Sequence, residues 1–399
     1  MLRVLILFCL ISLWAGRVDA QCLIDQDDIQ LSDQSVISLI TVNPGSQIQT
    51  FWGHTALRIK DPVNNLDLLY NYGAFQFDAT FVPKFIYGKL DYVLCVSPMR
   101  HEVQKYRLYQ KRSLIEQKLR LSLEEKQVIF DFVENNALPE NRTYRYDFLF
   151  DNCSTRIRDL LEDVLGDRLT YHYEAPDSTY RQILQPYVRN LPFLSLGIDV
   201  GLGMPVDRKP TARELMGLPI YMMEAYDKAT VEIDGMPMPL VMEKGMLLEI
   251  DLPESIGNKN ARFLFYGLLG GLMIVGFWVT FSKAPAIGRL RLWFDRLVFG
   301  FTGFVGLLAV FLWFIALHNV TNFNLNLLWA WPTHVGLLWM MIRRKKAVAG
   351  YMRVYTILAG IVVVGWEFWP QELNEFLIPF VLTMMLRSAW WGWFAKTNQ

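Results

Sequence analysis

Residues 144–166 read YRYDFLFDNCSTRIRDLLEDVLG. Tyr144, Tyr146, Phe148 and Phe150 alternate with Arg145, Asp147 and Leu149, the period of two of an extended segment. Beyond Cys153 the period changes. Ile157, Leu160, Leu161, Val164 and Leu165 recur at helical spacing, and Gly166 closes the run. Cys153 therefore falls in the first turn of an amphipathic helix, with Asp151 or Asn152 as its cap and Arg156 and Arg158 adding positive charge nearby. A thiol there lies beside unsatisfied backbone N–H groups and the positive end of the helix dipole, which favour thiolate over thiol. The same N–H groups suit the oxyanion of a tetrahedral intermediate. Local sequence leaves a second reading open: Cys153 as half of a disulfide or as a small packed residue.

Upstream, Val36 to Val42 and Phe51 to Ile59 read as strands, the second placing His54, Ala56 and Arg58 on one face and Thr55, Leu57 and Ile59 on the other. Asp61 to Asn65 is a turn, and Leu66 to Tyr72 a strand that returns against the first. Ser122 and Glu125 form a capping-box pattern opening a helix to about Asn136, before Pro139. A thiol nucleophile needs a base, and this part of the chain offers His54, His101 and His172. His54 is the best placed, on a strand behind Trp52-Gly53; His101 and His172 sit in polar or Tyr-rich loops. Asn71 and Tyr72 on the following strand, and Asp151, are candidates for the group that orients the imidazole; as sheet residues, Asn71 and Tyr72 also have a plain structural reading. Between Gln21 and Asn260 the pattern is of mixed α and β structure, with Pro186 to Pro253 read as loops and short helices.

The composition shifts near Ala261. Phe263 to Phe281, Leu297 to Leu317, Leu325 to Ile342, Tyr351 to Trp369 and Phe376 to Phe394 are each long enough, or nearly so, to cross a hydrocarbon core of roughly 30 Å. The chain is 52% hydrophobic, which fits five such spans. Lys283, Arg289, Arg291 and Arg296 fill one connection, and Arg343, Arg344, Lys345, Lys346 and Arg353 another, whereas His318 to Asn324 and Pro370 to Glu375 hold no Lys or Arg. Basic loops stay cytoplasmic, so the N-terminal domain lies outside. Tryptophans at 329, 331, 366, 369, 390, 391 and 393 fall mostly near span ends, as interfacial anchors do.

Met1 to Ala20 has the form of a secretory signal, with Arg3, an apolar stretch from Val4 to Trp14 and Val18-Asp19-Ala20 before the cut; an uncleaved anchor is the other reading. Export is common to both. The expected division is a signal segment 1–20, an extracytoplasmic domain 21–258 and a membrane domain 259–399. Removal of Cys9 with the signal leaves Cys22, Cys95 and Cys153, an odd number, so one thiol stays unpaired if two bond; whether Cys22 and Cys95 are that pair is open. Lys+Arg and Asp+Glu balance at 39 each, and nothing in the charge calls for a nucleic-acid partner. His318, Asn319, Asn322, Asn324 and Asn326 gather at the outer end of the second and third spans, with His334 deeper. They read either as interfacial helix caps or as a head-group site.

Taken together, FWGHTALRI from Phe51, YNYG from Tyr70, KLDY from Lys89 and YDFLFDNCST from Tyr146 resemble the periplasmic domain of Lnb-type bacterial lipoprotein N-acyltransferases. That domain is similar to circularly permuted papain-like folds such as the lecithin:retinol acyltransferase group, in which a strand His precedes Asn-Cys at a helix start. The match is strongest from Ser35 to Leu165 and extends, with the multi-span tail, over most of the chain. The resemblance implies an α+β permuted papain-like thiol domain fused to an all-α bundle of five transmembrane helices in a bacterial inner membrane. It implies Cys153 as nucleophile and His54 as base, with Asn71 and Tyr72 beside them and no cofactor or metal. The acyl donor it implies is a membrane phospholipid, the acceptor the α-amine of a diacylglyceryl-cysteine lipoprotein. Asn152, Asp151, Arg156, His318, Asn324 and His334 are its candidate substrate contacts. The fold class also admits a membrane-bound cysteine peptidase or amidase acting on cell-wall peptide, or a non-catalytic envelope assembly protein.

Overall fold

The structure is a computed structural model and describes residues 29–75, 80–251, 259–284, 287–343 and 345–395. The signal segment and Cys22 lie outside the described residues. The chain forms two compact units, one running to Ser178 and resuming at Pro210, the other made of Thr179–Lys209 and the residues from 259 on. The division is therefore not contiguous in sequence.

The first unit is built on strands β1 (Val36–Val42), β2 (His54–Asp61), β3 (Leu66–Ala74), β4 (Asp91–Pro98), β5 (Leu114–Leu119) and β6 (Thr143–Arg145). With them run helices α1 (Phe81–Tyr87), α2 (Met99–Lys105), α3 (Leu123–Ala137) and α4 (Cys153–Leu165). After a short strand β7 (Leu169–Thr170) the unit resumes with α5 (Pro219–Lys228), β8 (Thr230–Ile233), β9 (Met236–Pro239) and β10 (Val241–Leu248). Seven strands form one antiparallel sheet in the order β10-β5-β1-β2-β3-β4-β6, and β7-β8-β9 form a second. Alternation along β2 decides what each face of the large sheet packs. Leu57 and Ile59 join Ile37, Leu39, Tyr70 and Tyr72 against α3 and α4, while Ala56 joins Ile40, Val42 and Leu69 against Met99 and Tyr106.

Helix α3 starts where the sequence expects: the Ser122 hydroxyl accepts the Glu125 amide and the Glu125 carboxylate accepts the Ser122 amide. Helix α4 buries Ile157, Leu160, Leu161 and Leu165, each side chain worth about 1.5–3 kcal/mol out of water. The alternating stretch before it is strand only over Thr143–Arg145; it then turns, with Asp147 bridging back to Asp151. The Asp147 carboxylate causes this by accepting the Leu149 and Phe150 amides, an Asx turn that diverts the backbone from the ladder.

Residues 229–248, read from sequence as loop, are strands. Asp234 (φ 51°) and Gly235 (φ 75°) make the two-residue turn between Ile233 and Met236, and an Asp-Gly pair is the signal for that hairpin. The next strand, β10, closes the edge of the large sheet against β5.

In the second unit three helices are long and apolar enough to cross a membrane: Asn260–Phe281, Ile287–Phe314 and Ala347–Val364. The stretch expected to span from Leu325 to Ile342 is instead a 3-10 turn at Leu325–Leu328 followed by a helix His334–Ile342, nine residues or about 14 Å of rise. Pro332 and the Asn324 and Asn326 side chains, which bond backbone groups, interrupt it. A Cβ on Gly306 would stand 2.3 Å from the Ala330 carbonyl oxygen, so glycine there lets the broken segment lie against helix Ile287–Phe314. The last expected span is helix Ile378–Ala389 continued by a π turn to Phe394. Arg181 anchors the segment Thr179–Lys209 by donating to Asp199, Asp207 and the carbonyls of Leu202 and Gly203. Asp295 and Arg387, both fully buried, form a two-point ion pair at 2.6 and 2.7 Å.

Candidate active site

Cys153 is the first residue of α4, and Asn152 is the cap. The Asn152 Oδ1 accepts the Ser154 and Thr155 amides at 2.8 and 3.1 Å, and the Thr155 hydroxyl accepts the Asn152 amide at 2.8 Å. The Asn152 Nδ2 donates to the carbonyls of Phe148 and Gly217, so the whole carboxamide is consumed in holding the helix start. Asp151 is held at two points by Arg156, at 2.5 and 2.7 Å, and the Arg156 guanidinium lies 4.4 Å from the centre of the Tyr144 ring. These three sequence candidates thus shape the loop around the thiol and are engaged with each other or with backbone.

Helix α4 is locked to β2 by the Thr55 and Ser154 hydroxyls, 2.8 Å apart. The Thr55 amide, the nitrogen of the peptide joining it to His54, lowers the pKa of the Cys153 thiol. Among the described residues Cys153 is the free cysteine, while Cys95 is disulfide-bonded. Burial pushes the Cys153 thiol up from its ordinary value, against the opposing pull of the Thr55, Ser154 and Cys153 amides and the Ser154 hydroxyl. Burial of the sulfur thus opposes the thiolate that the helix terminus alone favours.

His54 opens β2, paired with Val42. The residue before it, Gly53, has φ 86°, and a Cβ there would meet the Val42 carbonyl at 3.0 Å, so the chain enters β2 through a bend only glycine makes cheaply. The His54 Nε2 lies 2.8 Å from the Asn71 Oδ1, and that same oxygen accepts the Gly73 amide at 2.7 Å. Since the Gly73 amide can only donate, the atom it meets is the Asn71 oxygen. The His54 Nε2 must then carry the proton, and Nδ1 is the basic nitrogen. A bulge in β3 between Asn71 and Ala74, where Tyr72 and Gly73 together oppose Leu94 of β4, sets this geometry. Gly73 is part of it: a Cβ there would sit 2.4 Å from the His54 Cε1.

His54 is half-buried, and its pKa falls to about 3, chiefly through burial, then through the Arg112 charge; the Asn71 bond opposes this. Arg112 wraps the end of β1, donating to the Asn43 and Val42 carbonyls and to Gln110, and its charge acts on both His54 and Cys153. Tyr72, expected beside His54, faces the opposite side of the sheet. Its hydroxyl donates to Asn136 at 2.7 Å and its carbonyl accepts the Tyr144 hydroxyl, a core role. His101 and His172 are exposed, on α2 and in a loop beside Thr230. The Trp52 indole N–H is buried without a partner, its ring 4.7 Å from that of Phe148. Arg112, Gly73 and the Thr55 amide escape sequence reasoning; only the Gly after Asn71-Tyr72 leaves a local trace. No group of three or more His, Cys, Asp or Glu gathers as a metal site among the described residues.

In the second unit, the Asn324 Nδ2 donates to the Val200 and Gly201 carbonyls and its Oδ1 accepts from Asn326, so it staples the segment Thr179–Lys209. His334 is fully buried among Phe299, Trp331 and Tyr355, with Nδ1 3.0 Å from the Thr302 hydroxyl. His318 precedes the 3-10 turn Asn319–Thr321, half-buried. The Asn324 side chain is thus engaged with backbone and Asn326, and His334 with Thr302 and its aromatic neighbours.

Residues 24–186 match the family of the Lnb N-terminal periplasmic domain, and residues 263–399 match that of the Lnb transmembrane domain. No curated protein matches the chain, and no solved structure does.

Proposed function

Given that the chain belongs to the Lnb family through both of its domains, a membrane protein with a periplasmic domain, we propose that it is a lipoprotein N-acyltransferase working through a thioester on Cys153. The observation that carries this reading is the Asn71 bond to the His54 Nε2, which leaves Nδ1 basic on the strand to which the helix of Cys153 is tied through the Thr55 and Ser154 hydroxyls. An imidazole kept unprotonated by burial supports general-base removal of a thiol proton.

In the first half-reaction His54 Nδ1 takes the thiol proton as the sulfur attacks an ester carbonyl of a phospholipid. The N–H groups at the start of α4 receive the oxyanion, and the Trp52 indole N–H is a further donor of the right kind. Collapse breaks the ester bond, and the lyso-phospholipid oxygen leaves with the proton from His54. In the second, the α-amine of a diacylglyceryl-cysteine attacks the thioester. His54 takes the amine proton and returns it to the departing Cys153 sulfur, leaving an amide and the starting thiol. Asn71 keeps the imidazole in one tautomer through both halves.

On the same premise the membrane domain makes five crossings of the bacterial inner membrane, the third through the broken segment 325–342 and the fifth through 376–394, with the basic loops in the cytoplasm. Short helices at membrane depth are tolerable where protein covers them, as Gly306 does for residues 330–332. Intact-mass measurement after incubation with phospholipid tests the reading: one acyl chain on the wild type, absent from Cys153→Ala. Wild type with no adduct when the amine acceptor is withheld would sink it.

A further inference from the structure

Helix α1 stands out from the domain that carries it. Pro83, Lys84, Phe85, Ile86 and Tyr87 are all exposed, with Phe85 at 51%, Ile86 at 41% and Tyr87 at 39%. Three consecutive large apolar side chains spread over about 200° of a helix at 3.6 residues per turn, each of them about two-fifths to one-half exposed. Gly88 (φ 76°) then ends the helix sharply, its amide returning to Lys84 and Phe85 carbonyls. Charge on the stretch 80–90 is one-sided: Lys84 and Lys89 are both exposed, and it holds no Asp or Glu. An exposed aromatic and aliphatic ridge flanked by cations is the composition of an element that lies in a bilayer interface facing anionic and zwitterionic phosphates.

The anchoring of α1 gives this surface a direction. Its Phe81 packs on the domain core, and from there rings run inward in a row. Phe85 and Phe81 are 6.2 Å apart at their centres, Phe81 and Phe75 5.2 Å, Phe75 and Tyr92 5.0 Å, and Tyr92 and Tyr146 4.1 Å. The inner end of the row, Tyr146, packs against the same buried cluster as Cys153.

We propose that α1 is the element that seats the periplasmic domain in the phospholipid surface, and that the ring row from Phe85 to Tyr146 is the apolar flank along which a donor acyl chain approaches Cys153. The second clause rests on the acyl-transfer reading; the first does not. The test uses full-length protein in vesicles of phosphatidylethanolamine and phosphatidylglycerol, with a benzophenone amino acid at position 85 or, as control, at Val128, which is 54% exposed on α3. Irradiation is expected to give phospholipid adducts at position 85 at ten times or more the yield at position 128. Equal yields, or none at 85, overturn the docking role. A second variant, Ile86→Asp with Tyr87→Asp, keeps the ring row and is expected to lower kcat/KM at least tenfold with vesicle phospholipid while leaving the rate with a soluble short-chain ester unchanged. An equal fall with both donors overturns the approach route. Absence of any acyl adduct on wild-type Cys153 would remove the transfer reading while leaving the crosslinking result to decide the docking.

Discussion

Asn71 holds His54 by an oxygen whose identity is fixed from the other side, by the Gly73 amide at 2.7 Å. Asn71→Ala removes that hold. Under the acyl-transfer reading kcat/KM is expected to fall about 10- to 100-fold, less than the loss of the base itself. The Cys153 alkylation rate by a small reagent should change little, and a fall of the same size there would assign Asn71 to folding instead.

Gly73→Ala tests the same geometry without touching a polar atom. The added methyl would stand 2.4 Å from the His54 Cε1, so the imidazole must leave its place or the bulge must open. Transfer is expected to drop about as far as in Asn71→Ala, and the imidazole proton resonance bonded to Asn71 should vanish. An unchanged spectrum with full activity would show that the ring is not where it has been described.

The pH dependence follows from two opposite displacements. His54 is depressed to about 3 by burial and the Arg112 charge, so it is unprotonated throughout the neutral range. The acylation rate should lack the acid limb near pH 6.5 that an ordinary imidazole gives. Cys153 is raised by burial, so its alkylation should keep climbing beyond pH 9 without a plateau between 6 and 8. Arg112→Gln removes a cation acting on both groups, and should raise the His54 pKa and slow alkylation.

Asp61 carries the turn between β2 and β3. Burial pushes its carboxyl up, but the Ser32 hydroxyl and amide, the Asn64 amide group and the Val63 amide outweigh that and hold it down at about 2. The carboxylate therefore adds stability above its unfolded pKa, and that stability is lost as pH falls through about 2. Asp61→Ala leaves the Ser32, Val63 and Asn64 donors without their charged acceptor and is expected to cost about 1–3 kcal/mol at pH 7 by denaturant titration. The difference from wild type should shrink on acidification.

In the membrane unit, Arg387→Leu strands the buried Asp295, which then keeps only Trp391. The expected loss is about 3–5 kcal/mol, read as a lower thermal midpoint in detergent, and Asp295→Asn with Arg387→Leu should recover much of it. A double variant no better than the single would show that the pair's charges are not what matters.

Sequence legibility tracks how local each determinant is. Strand β1 has the bounds its pattern predicts, and α3 and α4 start at their caps, because the capping atoms lie within three residues of the backbone they satisfy. Asn71 and Tyr72 could not be told apart from composition, yet neighbours on a strand face opposite ways, and only the pairing of β2 with β3 says which one meets His54. The opposition of burial to the thiolate is hidden for a similar reason: a helix terminus is visible in sequence, whereas burial of the sulfur depends on everything packed around it. Arg112 enters from β5's approach, 58 residues from His54, with no local mark. The third apolar run was legible as apolar, but Pro332 and the Asn324 and Asn326 side chains break its helix.

The Asn152 carboxamide is completed by the Gly217 carbonyl, 65 residues further along the chain. Between them the polypeptide leaves the first unit, contributes Thr179–Lys209 to the second, and comes back. A chain emerging from its N-terminus thus has Cys153, His54 and Asn71 in hand long before the helix that presents the thiol can be fully capped. Completion of the cap before Cys153 thus waits on the return of the chain from its excursion, and a truncation ending before residue 217 would carry Cys153, His54 and Asn71 and still lack it.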